Sequence, residues 1–330
     1  MTTATTKDTT VSAPGKLFLI GEYGVLEGQP AVVAAVDRRV VGRLVPGLAP
    51  ASPLVERAVE SVRSYLLEAG GAPPAGTPEL DSRALASDAR KLGLGSSAAV
   101  AAAAVGALLD AAGCDLEYSR TLAFTLANRA HRAAQGGRGS GADVAAAVHG
   151  GVVCYRRRDG DVIVQPLDLP REVELIVFST GTPSSTVDHV RALEAYAAQQ
   201  PETCRTRLAA LGDAAAHFIA ACVDDDGRRA VTAARAANGA LAALGQEIGL
   251  PIVTPSLAAA ATLAEELGGA AKPSGAGGGD VGVAFLTDRG AARTFRERAP
   301  HLGVEILSIR TDARGLCRES SVRERNHVER

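Results

Sequence analysis

Apolar residues fall in short blocks whose spacing changes along the chain. Lys16-Leu17-Phe18-Leu19-Ile20 is a compact run closed by Gly21, with the length and boundary of a buried strand. Val32, Val33, Val36, Val40, Val41 and Val45 predict strand over 31–45, broken at Asp37-Arg38-Arg39. From 54 to 69 the apolar positions take helical spacing, and 70–78 is a loop rich in Gly and Pro. An alanine-rich block predicts a helix over 97–112, stopped by Gly113, and a second helix over 116–135 ends at Gly136-Gly137. The runs 150–156 and 162–167 flank Asp159-Gly160 and predict a β-hairpin. A buried strand at 173–180 follows, then helices over 185–199, 202–223, 229–248 and 256–267. Strands at 281–286 and 304–309 come last, with a helix at 290–299 between them. From Asp312 the chain is polar and charged, which predicts a frayed tail.

This succession lacks a regular βαβ alternation, so the fold class is α+β rather than doubly wound. No internal repeat is visible. The best boundary lies near Leu169-Pro170, giving domains over 1–170 and 171–312 and a polar tail over 313–330.

With 46% hydrophobic and 22% charged residues, 330 residues can bury a sizeable core. Aromatics make up 3% and tryptophan is absent, so that core is built mostly of Ala, Val and Leu. A net charge of −2 without a basic stripe argues against nucleic acid as the main partner, though a local Lys/Arg cluster can still bind an anionic small molecule. The five cysteines are scattered and form no C-x-x-C pair, which suits free thiols in a reducing cytoplasm better than disulfides or zinc. Residues 1–10 are polar, unlike a secretory signal, and the apolar stretch 98–109 is too short to span a membrane.

The candidate chemistry lies in glycine-rich segments. Gly93-Leu94-Gly95-Ser96-Ser97-Ala98-Ala99 runs into the alanine-rich helix. A Gly/Ser loop at a helix N-terminus presents unpaired N–H groups and a favourable dipole to phosphate, and Ser96 or Ser97 could reach Mg²⁺; the plainer reading is a serine N-cap. The spacing is not that of a Walker A loop, and Lys91 precedes the glycines. Lys16 follows Pro14-Gly15 at a strand start, where it either neutralises a transferring phosphoryl group or is simply solvated. Gly136-Gly137-Arg138-Gly139-Ser140-Gly141-Ala142-Asp143 ends in an acid that is an N-cap, a metal ligand or a general base. Segment 272–280, Lys272-Pro273-Ser274-Gly275-Ala276-Gly277-Gly278-Gly279-Asp280, holds too many glycines for a simple turn. Hydroxyls at Tyr23 and at Ser184-Ser185-Thr186 follow predicted strands. His131 shows no metal-ligand spacing and is structural or substrate-facing, and no G-x-S-x-G elbow supports a hydrolase.

Ala13-Pro14-Gly15-Lys16, segment 93–99 and segment 272–280, in that order, resemble the three motifs of the GHMP kinase superfamily, and the resemblance runs from Ala13 to about Ile309. Within it, Gly21-Glu22-Tyr23, Ala130-His131-Arg132-Ala133-Ala134-Gln135-Gly136, Gly139-Ser140-Gly141-Ala142-Asp143, Tyr155-Arg156-Arg157 and Thr180-Gly181-Thr182-Pro183-Ser184-Ser185-Thr186 are similar to the phosphomevalonate kinases of fungal and bacterial type. Mevalonate kinases and galactokinases usually carry His at the place of Tyr23. Mevalonate kinases also carry proline at the place of Gly139, and His131 stands where they place a glutamate that helps hold Mg²⁺.

The resemblance implies a ribosomal-protein-S5-like N-terminal domain and a ferredoxin-like C-terminal domain, with ATP and an anionic substrate meeting in the cleft between them. It implies that Lys91, Gly93, Leu94, Gly95, Ser96, Ser97 and Ala98 hold ATP, with Ser97 on Mg²⁺, and that Lys16 and Asp143 are catalytic. Substrate-binding positions carried over are Lys16, Glu22, Tyr23, Ser140, Arg156, Ser185, Ser274, Gly275 and Ala276. A phosphate acceptor, with a second pKa of about 6, is already largely ionised at neutral pH. Charge from Lys16, Lys91, Arg138, Arg156 and Lys272 then matters more than a base, and Asp143 orients. The implied protein is a cytoplasmic monomer or homodimer with no nucleic-acid or membrane partner.

Overall fold

The computed structural model describes residues 10–87, 90–158 and 160–319, apart from the side chains of Ser87, Arg90 and Lys91. Asp159, half of the expected hairpin turn, lies outside the described residues.

β1 (Thr10–Ile20) and β2 (Ala31–Val45) form an antiparallel pair. The segment Ala13-Pro14-Gly15-Lys16 is not a loop but part of β1, and the register shifts between Pro14 and Lys16. A bulge there accommodates a proline that has no N–H for the ladder. β2 also runs unbroken through Asp37-Arg38-Arg39. The Arg39 guanidinium explains this: Nε donates to Ser12 Oγ at 2.8 Å, and Nη1 to Asp312 Oδ2 at 2.6 Å.

α1 (Pro53–Glu68) starts on Ser52, whose hydroxyl accepts from the Val55 amide, with proline in its first turn. β3 (Thr77–Asp81) pairs with β2 and was not anticipated, because Thr-Pro-Glu-Leu-Asp has no strand pattern of its own and becomes a strand through its partner. β4 (Ala86–Ser87) and β5 (Arg90–Lys91) make a short hairpin before α2 (Ser96–Ala111). α3 (Arg120–Ala134) and α4 (Ala142–His149) lead to the hairpin of β6 (Val152–Arg158) and β7 (Asp161–Pro166). Small side chains let α2 lie close against β1 and β2, with Ala101 to Leu109 buried.

The second half comprises β8 (Glu174–Ser179), α5 (Thr186–Gln199), α6 (Pro201–Val223), α7 (Gly227–Glu247), α8 (Pro255–Glu266), β9 (Ala270–Pro273), β10 (Val281–Leu286), α9 (Arg289–Arg298), β11 (Glu305–Leu307) and β12 (Cys317–Arg318). Its antiparallel sheet has the order β11-β8-β10-β9. With α8 and α9 as the crossing helices, this is a ferredoxin-like arrangement enlarged by α5, α6 and α7. Phe178 and Phe295 meet at 6.0 Å between ring centroids in the core beneath it.

β12 returns to the first sheet, whose order is β12-β1-β2-β6-β7 with β3 also on β2. The tail is therefore not frayed over its described part: Leu316 is buried and Arg39 Nη2 donates to Gly315 O at 2.7 Å. Its polar residues are spent on these contacts, which a hydropathy pattern does not register. Among the described residues α6 is long and apolar enough to cross a membrane, yet Leu208, Leu211, Ala215 and Phe218 bury against the rest of the protein, as in a core helix.

Candidate active site

A cavity of about 540 Å³ opens where the ends of β1 and α2 face the glycine-rich turn between β9 and β10. The bulge in β1 aims Lys16 into it. The Lys16 amide donates to Leu94 O at 2.8 Å, so the strand and the 93–95 loop are tied together, and its ammonium lies 5.3 Å from the Phe18 ring centroid. Burial pulls the Lys16 pKa below the ordinary lysine value, opposed by the charges of Asp143, Glu22 and Asp280. One ammonium thus faces three carboxylates.

Gly95 is the N-cap of α2 with φ 69°, and a Cβ built on it would lie 2.6 Å from Lys16 Cγ. Glycine lets the 93–95 loop pass over the lysine at this distance. Ser96 and Ser97 open the helix, so their amides have no helical carbonyl to bond, while the Ala98 amide bonds Gly95 O at 3.1 Å. Gly93, Leu94, Gly95, Ser96 and Ser97 line the cavity and Ala98 does not. The Lys91 side chain lies outside the described residues.

Asp143 is not the N-cap of α4; Gly141 holds that place with φ 90°. Asp143 stands in the first turn, where its Oδ1 accepts from the Val144 amide at 3.0 Å. His131 links it to the phosphate loop: Nε2 lies 3.0 Å from Ser97 Oγ, 3.1 Å from Gln135 Nε2 and 4.0 Å from Asp143 Oδ2. Tyr155 fixes the glycine loop ahead of α4, its hydroxyl donating to Ser140 O at 2.5 Å.

Contacts of Glu22 and Tyr23 join the halves across the cavity. Glu22 and the fully buried Lys272 form an ion pair, and Lys272 Nζ also donates to Pro273 O at 2.5 Å. The Tyr23 hydroxyl, its pKa raised by burial, donates to Ala276 O, and Tyr23 takes φ 61°. Asp280 is a further residue of the site that the glycine-rich pattern concealed. It adopts φ 53°, accepts at Oδ1 from the Ser184 amide at 3.1 Å, and has a pKa raised by burial despite that bond and Lys16. Its Cβ lies 2.7 Å from where a side chain on Gly93 would begin.

Lys16, Glu22, Tyr23, Ser140, Asp143, Gly275 and Ala276 are thus gathered at one cavity with the 93–97 loop. The remaining expected positions are not. Ser185 caps α5 and accepts from the Asp188 amide, while its neighbours Ser184 and Thr186 reach the cavity. Ser274 is buried behind Gly275, and Arg156 turns to the far side of the 24–27 turn. Lys272 pairs with Glu22, and Arg138 pairs with Glu194 on the surface at 3.2 Å. Lys16 is consequently the one cation among the described lining residues. The side-chain order along a strand cannot reveal this, because it depends on which sheet face the partner half covers.

The residues present fit Mg²⁺. Ser97 and Asp143 offer hard oxygen ligands on either side of His131, and among the described residues no group of three or more His, Cys, Asp or Glu forms a cage. Mg²⁺ held beside nucleotide phosphates needs only one or two protein oxygens.

An anion-binding helix start, a buried lysine and a facing carboxylate in an interdomain cleft define a phosphotransferase site. Family models for the N-terminal domain and the C-terminal region of GHMP kinases match residues 54–151 and 226–304, and the chain belongs to the GHMP kinase family. It is 34% identical to the phosphomevalonate kinase of Streptomyces sp. (strain CL190), over 92% of this chain and 97% of that protein. It is 31% identical to the mevalonate kinase of Aeropyrum pernix, over 71% of this chain and 76% of that one. The fold is shared with Streptococcus pneumoniae phosphomevalonate kinase, solved in complex with phosphomevalonate and AMPPNP: TM-score 0.81 and 21% identity, covering 92% of this chain and 99% of that one.

Proposed function

We propose that this protein transfers the γ-phosphoryl group of ATP to 5-phosphomevalonate, giving 5-diphosphomevalonate and ADP in the mevalonate route to isoprenoids. The observation that carries the reading is the full-length similarity to a phosphomevalonate kinase together with a buried Lys16 aimed between the phosphate loop and Asp143.

In this reading ATP lays its phosphates on the Ser96 and Ser97 amides. A phosphate oxygen of the acceptor attacks the γ-phosphorus as the bond to the β,γ-bridging oxygen breaks, and ADP leaves with that electron pair. The attacking phosphate, with a second pKa of about 6, carries little proton to remove at neutral pH. Asp143 therefore orients the acceptor and steadies Lys16 rather than acting as base, and Lys16 places positive charge where the transferring group gains negative charge. Mg²⁺, held by Ser97 and Asp143, would offset charge on the nucleotide phosphates. The lining supports this reading: Lys16 is the one cation among the described lining residues and faces Asp143 and Asp280, while Lys272 pairs with Glu22.

The free state of all five cysteines suits a reducing, cytoplasmic setting. We place the domain boundary near Leu169-Pro170, between β7 and β8. Phosphorus-31 NMR of the full reaction tests the function. New diphosphate resonances on the acceptor, growing with ADP, are expected; inorganic phosphate with unchanged acceptor would contradict it.

A further inference from the structure

Beyond Leu26, the one residue it shares with the active cavity, lies a second hollow of about 600 Å³. Its walls are the 26–29 turn, α3 and the β6–β7 hairpin. Arg132, Arg156, Arg157 and Arg158 line it, and Glu27 is the one acid among the described lining residues. Arg158 has an interaction of its own, whereas the guanidinium groups of Arg132, Arg156 and Arg157 around one space repel each other unless an anion sits among them.

Their hydrogen bonds leave capacity unused. Arg132 Nη2 donates to Gly137 O at 2.9 Å and Arg156 Nε to Gly28 O at 3.2 Å, so each uses part of its five-donor fork. Arg157 Nη1 is buried and has no hydrogen-bond partner among the described residues. A buried N–H of a permanent cation is costly to leave unpaired. Several oxygens on one small ligand would satisfy it, and guanidinium forks match phosphate oxygens. Among the described lining residues Leu26 is the sole large apolar one, so the hollow suits the charged group of a ligand better than a hydrocarbon chain.

We propose that this hollow is a second anion site, taking a small diphosphate or phosphate ester separately from the substrates of the active cavity. It stands behind the turn Gly24–Glu27, which with Tyr23 presents Val25 and Leu26 to the active cavity. Arg132 follows His131 on α3, so the two cavities lie back to back on one helix. An anion here braces that turn from the side opposite the substrates.

The test is calorimetric titration of inorganic pyrophosphate into the protein, with the active cavity already saturated by AMPPNP, Mg²⁺ and 5-phosphomevalonate. One further equivalent is expected to bind. Arg157→Gln should weaken it about tenfold or more, the usual effect of losing a charged hydrogen-bond donor, while kcat and both KM values measured without pyrophosphate stay within about twofold of wild type. Arg132→Gln provides the same reading if Arg157→Gln does not fold. No binding to the saturated protein, or binding that neither substitution weakens, overturns the proposal. So does a raised acceptor KM in Arg157→Gln without pyrophosphate, which would assign the guanidinium to the acceptor's own charged end.

Discussion

Burial pulls the Lys16 pKa down, and the charges of Asp143, Glu22 and Asp280 oppose that shift. Bound phosphates add to that effect, so the two kinetic parameters should titrate differently. In kcat/KM, which reports the free enzyme, activity is expected to fall on the alkaline side at a pH below the ordinary lysine value of 10.5. In kcat the same limb should move to higher pH, because phosphate stabilises the ammonium. A kcat/KM profile with no alkaline limb below that value would contradict the assignment. Lys16→Met, which keeps the length and removes the charge, should lower kcat by about 10²–10³ with little change in KM. Lys272, which is buried completely, differs. Its partner Glu22 is also buried, so Lys272→Met strands a carboxylate, and denaturant unfolding should show a loss of about 3–5 kcal/mol. Sequence makes both lysines legible as cations beside glycines. Which of them faces phosphate was not legible, because burial of Lys272 is decided by Glu22, 250 positions away. Asp280 was hidden for the same reason: its role comes from contacts with Gly93, Ser184 and Lys16.

Elements were readable where one local cause dominated. The alanine-rich α2, the hairpin and the late strands follow from period and turn residues. β1 and β2 are longer than their apolar runs because pairing carries Pro14 and the Asp37-Arg38-Arg39 triplet into the sheet. β3 has no pattern and exists through β2. The junction of β1 with α2 offers a direct probe. Gly95→Ala demands φ 69° of alanine and sets its Cβ against the Lys16 side chain. The variant should fold, since the clash is with one flexible side chain, yet kcat/KM for ATP should fall about 100-fold as Lys16 is displaced from its working geometry. Unchanged kinetics would mean that the loop does not set the lysine's position.

At the scale of the molecule, one half supplies the phosphate loop, Lys16 and Asp143, and the other supplies the 275–280 turn and Asp280. The Glu22–Lys272 and Tyr23–Ala276 contacts hold them together. The chain's return as β12 closes the first sheet. Leu316→Ala should therefore cost about 2–5 kcal/mol in stability, as at other buried leucines, although the segment reads as a polar tail. The two-part architecture was legible because three motifs in order resemble one family, whereas the cleft's charge balance became visible only in three dimensions. With Lys16 the one described cation lining the cavity, Mg²⁺ on the nucleotide would be needed to admit an acceptor that carries its own negative charge. The most direct measurement is ADP release from Mg-ATP with 5-phosphomevalonate and, separately, mevalonate at equal concentrations. Turnover with phosphomevalonate and little with mevalonate is the predicted result. Turnover of mevalonate alone would contradict the account and assign the cavity to a neutral alcohol acceptor.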